Sequence, residues 1–186
     1  MGFLSRIFKR DEAAVTDARR IYRKLMAQSR RPNFYGEGQF ADTYDGRIDV
    51  LTLHIAAILS NLNRFGVNGE RLGQALFDEM KDDFEIALRE EALSDASVKK
   101  RIQPMISLFY DRVKAYAEAL HAADKKSALD KIFFESPGFD GGTSDSEQAN
   151  SDFREKMSRY LVNFNDSLLN LTLGQIALTE FDFPAL

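Results

Sequence analysis

Cysteine and tryptophan are both missing from this chain of 186 residues, and histidine occurs only twice. Without cysteine there can be no disulfide, no thiolate metal site and no thiol nucleophile. The same lack fits a reducing compartment. No run approaches the ~18 unbroken apolar residues of a membrane span. The N-terminus has neither the long apolar core nor the cleavage site of a secretory signal. Arg6 stands where a myristoylation motif needs Ser or Thr, and Asp11 and Glu12 interrupt anything resembling a presequence. The expectation is a cytoplasmic protein, bacterial in type. A net charge of −4 argues against a general nucleic-acid binder, so no DNA partner is expected. Gly-x-Ser-x-Gly elbows and Walker loops are also lacking.

What is present is helical periodicity. Apolar residues make up 44% of the chain, enough for one domain with a real core. Val15, Ala18, Tyr22 and Leu25 share one helical face, which ends before Pro32. Ile48, Leu51, Ile55, Ile58, Leu62 and Phe65 form a second stripe closed by Gly66. Leu72, Leu76, Met80, Phe84 and Ala87 form a third. Ile102, Met105, Ile106, Phe109, Val113, Tyr116 and Leu120 form a fourth. Phe153, Met157, Tyr160, Phe164, Leu168 and Leu171 form a fifth, with Gly174 as its C′ residue. Leu129 to Phe134 suggests a sixth helix. No segment alternates with period two for long enough to be a strand. The fold class is therefore all-α: a single bundle of about six helices, with residues 136–150 as one long flexible loop. Asp45 is a plausible N-cap for the second helix, and Val67-Asn68 a tight turn before the third. Pro104 either kinks the fourth helix or delays its start until after Gln103.

Charge divides the chain. The first 31 residues are strongly basic and the stretch Glu70 to Asp95 is acidic. Either two solvated helix faces attract each other, or a basic pole meets membrane phosphates or RNA. The first ten residues form a unit of their own ahead of a domain over 11–186. Phe3, Leu4, Ile7 and Phe8 share a face, with Arg6, Lys9 and Arg10 on the other. A short basic amphipathic helix of this kind makes weak contact with an anionic membrane. An arm docked on the domain's own surface is the alternative.

Chemistry is hard to find. Glu118-x-x-His121 has the spacing of one half of a di-iron motif, but the other half is missing. Asp42, Asp45, Gly46 and Asp49 resemble a calcium loop broken by Ala41 and Thr43. Neither supports a metal, and no cofactor is expected. His54 sits beside Leu51, Ile55 and Ile58, which suits a hydrogen-bonded histidine of a bundle better than a catalytic base. The aromatics stand out: fifteen Phe and six Tyr. Phe34, Tyr35, Phe40 and Tyr44 fall in the long first loop, and Phe139 in the flexible one. They either line a partner groove or lid the bundle. Phe34, Tyr35, Phe40 and Tyr44, with Phe77, Phe109, Tyr110 and Tyr116, are the candidate partner-binding residues.

Several segments together resemble the ubiquinol–cytochrome c chaperone family. Ile21-Tyr22, Arg30-Arg31-Pro32 and Phe34-Tyr35 look like its first block. Asp42 to Asp49, with Leu51, Leu53 and His54, looks like its second. Gln74 to Asp78, with Met80, Asp82, Leu88, Arg89 and Glu90, resembles the third. Val98, Lys100-Arg101, Met105, Phe109-Tyr110, Arg112 and Ala115-Tyr116 resemble the fourth, and Gly174 and Phe183-Pro184 fit the close. The resemblance is strong over residues 20–120 and looser elsewhere. Two departures fall at what look like element ends: Asp111 in place of Gly, and Glu91 to Ser94 in place of a Gly-containing turn. The resemblance implies a non-enzymatic assembly factor for the bc1 complex. Its client would be newly made cytochrome b, or the ribosome translating it, beside the inner membrane. Mitochondrial relatives work with a small partner protein. The motif's polar residues (Arg31, Asp42, Asp45, Arg47, Asp49, His54, Asp78, Asp82, Arg89 and Arg112) would then mostly hold the scaffold: Asp45 and Asp49 as caps, Arg47 and Arg89 paired with carboxylates, His54 as a bridge between helices. Two rival readings are an enzyme centred on Asp42, Asp49 and His54 in a deep pocket, and a small-molecule or lipid carrier with an apolar internal cavity.

Overall fold

The computed structural model describes residues 3–90, 95–136 and 147–186, with side chains for 12–90, 97–136 and 150–186. The elements are α1 (Phe3–Ser29), α2 (Tyr44–Leu62), α3 (Gly66–Glu90), α4 (Asp95–His121), α5 (Lys125–Phe134), α6 (Glu147–Leu169) and the short α7 (Leu173–Ala177). Single 3-10 turns at Pro32–Phe34 and Asn63–Phe65 flank α2. Among the described residues there is no strand, and one bridge joins Tyr35 to Phe40. The protein is an all-α bundle.

Helix α2 is its axis. Ten consecutive residues, Asp49 to Ile58, are buried, and the helix packs against α1, α3, α4 and α6. A ten-residue run covers every face of a helix, so the single stripe read from the sequence is really an apolar cylinder. A window within Tyr44–Glu90 is long and apolar enough to cross a membrane by composition, but 61% of it is buried inside the bundle. A helix that is apolar all round is what the centre of a bundle requires.

The outer helices are amphipathic as their stripes foretold. Leu72, Leu76, Met80, Phe84 and Leu88 of α3 are buried, as are Ile102, Phe109, Tyr116 and Leu120 of α4. Val15 is the exception: it is 45% exposed, and Ile21 takes its place in the α1 face. The basic α1 and the acidic α3 lie side by side. Arg19 Nε donates to Glu79 at 3.1 Å and Tyr22 OH to Asp83 at 2.7 Å. The two charge-biased segments therefore do attract each other.

Several ends differ from the sequence expectation, each for a visible reason. Thr43, not Asp45, caps α2, accepting from Gly46 N at 3.2 Å. Val67 and Asn68 are the first turn of α3 rather than a linker, because Gly66 makes the break alone with φ +57 and ψ −144. Gly174 is not the C′ residue of α6 but lies inside α7, whose start is a Thr172–Gln175 capping box. The end of α6 needs no glycine. Arg64 Nη2 donates to Leu168 O at 2.7 Å, and its guanidinium also reaches the carbonyls of Leu169 and Leu171. Helix α4 is continuous through Pro104, so its start is not delayed until after Gln103, and Asp111 lies in its middle, not at an element end. The expected loop 136–150 is shorter, since α6 begins at Glu147 and both Ser136 and Asn150 are buried. The rest of that loop, Phe139 included, and the Glu91–Ser94 junction lie outside the described residues.

Candidate functional site

The first loop is a plug rather than a rim. Phe34 and Phe40 are fully buried. Phe34 stands edge-on to His54 and Tyr160, with ring centroids 5.6 and 5.5 Å away. Phe40 meets Phe133 and Phe153 in the same manner. Tyr35 is half-buried, its hydroxyl donating to Ser29 O. Phe109 and Tyr116 are also core residues, 2% and 0% exposed. Phe34, Phe40 and Tyr116 therefore pack inside the bundle, while Phe109, though buried, also lines two of the surface concavities. Their aromatic bulk serves the lid and core.

The polar motif residues divide into two groups. At the surface, Arg47 Nε pairs with Asp42 at 2.7 Å and holds that carboxyl below its ordinary range. Arg89 lies 3.8 Å from Glu85, and Asp78 accepts from Gln74 at 2.9 Å. Arg31, Asp45 and Asp82 are exposed. In the interior, Asp49 is not a cap. Its Oδ1 accepts from Arg112 of α4 and its Oδ2 from Ser136 beyond α5. His54 is fully buried and bridges α2 to α6, with Nε2 2.7 Å from Tyr160 OH and Nδ1 2.6 Å from Val50 O. Asp42, Asp49 and His54 thus engage three separate sets of partners and do not converge. Glu118 is paired with Lys114 at 3.9 Å, and His121 Nδ1 with Ala117 O at 2.7 Å. No group of three or more potential metal ligands occurs among the described residues.

Three open concavities lie along α4, and another of about 550 Å³ lies between α5 and α6, where Lys125, Lys126, Glu155 and Arg159 make its wall more polar. One, of about 320 Å³, is walled by α2, α3 and α4, with Ile48, Thr52, Phe84, Met105 and Leu108 around the Asp49–Arg112 pair. It adjoins a wider one of about 540 Å³ through Tyr44 and Met105, bordered by Leu88, Pro104, Lys100 and Arg101. On the other flank of Phe109 lies a third, of about 260 Å³, lined by Leu59, Leu62, Gly73, Phe77, Tyr110 and Val113. Phe77 and Tyr110 face each other there at 4.7 Å between centroids. Tyr44, Leu108 and Tyr110 are 46%, 51% and 53% exposed. Of the candidate aromatics, then, Tyr44, Phe77 and Tyr110 stand at these grooves. Leu108, Pro104 and Met105 were not singled out as partner contacts. The available signal was Leu108 itself, a large aliphatic beside the α4 stripe instead of on it.

The buried polar residues thus mend the bundle's own interior, and the concavities beside α4 are open and mainly apolar. The sequence model of the ubiquinol–cytochrome C chaperone family matches residues 37–181, and the chain belongs to that family. It is also similar to the Cbp3 homolog from Brucella abortus, whose crystal structure superposes with a TM-score of 0.78 at 25% identity, over 99% of this chain and 97% of that one. No curated protein matches the sequence.

Proposed function

We propose that this protein binds newly made cytochrome b as a chaperone of bc1 complex assembly and works at the inner-membrane surface. The observation that carries the reading is the pair of apolar grooves flanking Phe109 on a chain of this family. An integral-membrane client exposes apolar segments before it is assembled. Open grooves edged by Tyr44, Leu108, Phe77 and Tyr110 shield such a segment reversibly, as an amphipathic helix is held in a groove. Turnover has no part in this. The sequence of residues 1–10, with Phe3, Leu4, Ile7 and Phe8 opposite Arg6, Lys9 and Arg10, supports weak membrane contact that keeps the domain near the insertion site. Affinity capture of the tagged chain from native membranes tests the reading. Cytochrome b should come down with the wild type and be depleted with Leu108→Asp. Its absence from the wild-type capture would overturn the proposal.

A further inference from the structure

The hollows of about 320 and 540 Å³ beside α4 share Tyr44 and Met105 and so form one trough. Helix α4 lines it at every third or fourth residue from Ser97 to Arg112. At ~1.5 Å of rise per residue, that stripe is roughly 22 Å long, the length of about four helical turns. Tyr44 and Met105 border both hollows and Asp49 bonds Arg112, so α2 runs in the same direction as α4 along the trough. Helix α3 runs the opposite way, with Leu88 at the outer end, by the start of α4, and Phe84 further in.

Charge along the trough is uneven. At its outer end Lys100 and Arg101 stand exposed in a wall with no carboxylate among its described residues. Lys100 makes no ion pair among the described residues. Asp45 is exposed further in, on the α2 rim. At the inner end Arg112 and Asp49 neutralise each other. Between the ends the walls are apolar, with Ile48, Phe84, Met105 and Leu108. The trough is thus apolar along its length, neutral at its inner end and positive at its outer end. The groove at Phe77 and Tyr110 differs: Glu70 is the only charged residue among its described lining.

We propose that this trough takes a client segment of about four helical turns, apolar on one face and acidic at one end, with the acidic end held beside Lys100 and Arg101. The inference rests on the client reading above and deepens it. It chooses this trough over the groove at Phe77 and Tyr110, and it fixes which way the segment lies. An amphipathic helix in a groove is anchored by its apolar face. The charge at its end acts on choice and orientation, since a basic end would meet like charges there.

Dye-labelled, helix-forming peptides of about sixteen residues, rich in Leu and Ala, test this by fluorescence anisotropy with the full-length protein. One carries a pair of Glu at its N-terminal end, one a pair of Glu at its C-terminal end, and one Lys at both ends. An acid-ended peptide should bind about five- to tenfold more tightly than the Lys-ended one. Lys100→Glu/Arg101→Glu should reverse that order with an unchanged thermal melt, and Lys100→Glu alone should lessen the preference. Leu108→Asp should weaken all three peptides. Lys125→Glu/Lys126→Glu, on α5, should leave the order as it is. Equal affinities, or an order that survives charge reversal at Lys100 and Arg101, would overturn the selection by charge and leave an indiscriminate apolar groove. An order reversed as well by Lys125→Glu/Lys126→Glu would reduce the preference to net charge, which also overturns the proposal. Binding by none of the peptides would sink the groove reading along with it.

Discussion

His54 of α2 and Tyr160 of α6 meet edge to face inside the bundle, ring centroids 5.6 Å apart and Nε2 2.7 Å from the phenolic oxygen. Nδ1 lies 2.6 Å from the Val50 carbonyl, which only accepts, so the ring proton sits on Nδ1. Nε2 then accepts from Tyr160 O–H, and that oxygen accepts in turn from Gln28 Nε2 at 3.0 Å. Three helices, α1, α2 and α6, are joined by this relay of neutral groups.

Stability should therefore fall in mild acid. Burial pushes the His54 pKa down from 6.5 to about 4, against a smaller opposing effect of the Val50 hydrogen bond. Between those two values the unfolded chain takes up a proton that the folded one refuses. The stabilising effect is complete above pH 6.5 and is lost as pH falls towards 4, at up to ~1.4 kcal/mol per unit from this residue. His54→Ala should cost about 1–3 kcal/mol near neutral pH by orphaning its partners and should flatten this acid slope. Chemical denaturation of both proteins across pH 4–7 measures it. An equal slope in the variant would assign the acid sensitivity elsewhere.

Asp49 and Arg112 make a different kind of bridge, with side chains only 6% and 11% exposed. Removing one member leaves the other charged in the interior. Asp49→Ala should destabilise by about 3–5 kcal/mol, and Asp49→Ala/Arg112→Leu by markedly less. A double-mutant cycle on urea midpoints reads the difference. Additive losses would mean the two groups are not coupled.

Two glycines three residues apart should respond for unlike reasons. A Cβ at Gly69 would fall 1.9 Å from the Leu62 carbonyl oxygen, so Gly69→Ala must push α3 off α2. At Gly66 nothing lies within 4 Å, but φ is +57, and Gly66→Ala costs only backbone strain, about 1–3 kcal/mol. Thermal melts should rank Gly69→Ala as the more damaging.

The grooves make a fourth prediction. Tyr110→Ser and Leu108→Asp change residues more than half exposed, so melting should be nearly unchanged while recovery of cytochrome b drops. Phe134→Asp should change neither. Equal recovery from all three would place the client elsewhere on the surface.

Most of the architecture was legible because it rests on spacing. The buried residues of α3, α4 and α6 recur at helical intervals, and the α1–α3 attraction could be read from charge alone. Burial around α2 could not be read that way: a helix buried on every side shows a run, not a stripe. Tertiary partners decided the remainder. Asp49 looked like a cap until Arg112, from a helix far along the chain, claimed it. Gly174 looked like a helix stop until Arg64 took over the α6 carbonyls. Phe34 and Phe40 sit in a loop by sequence and in the core by contact, and periodicity cannot signal a plug. The groove residues are hardest of all, since an exposed Leu108 means nothing until the walls beside it are known.

The C-terminal tail gives the bundle a schedule. Phe183 packs 5.5 Å from His54 and 5.0 Å from Phe164, while Phe181 rests under Lys24, whose ammonium also bonds the tail's carbonyls. Contacts between such distant parts of the chain form late, after the intervening links are in place. The core around His54 is therefore closed over only after α1, α2 and α6 have found one another and Phe181 and Phe183 have folded back onto them.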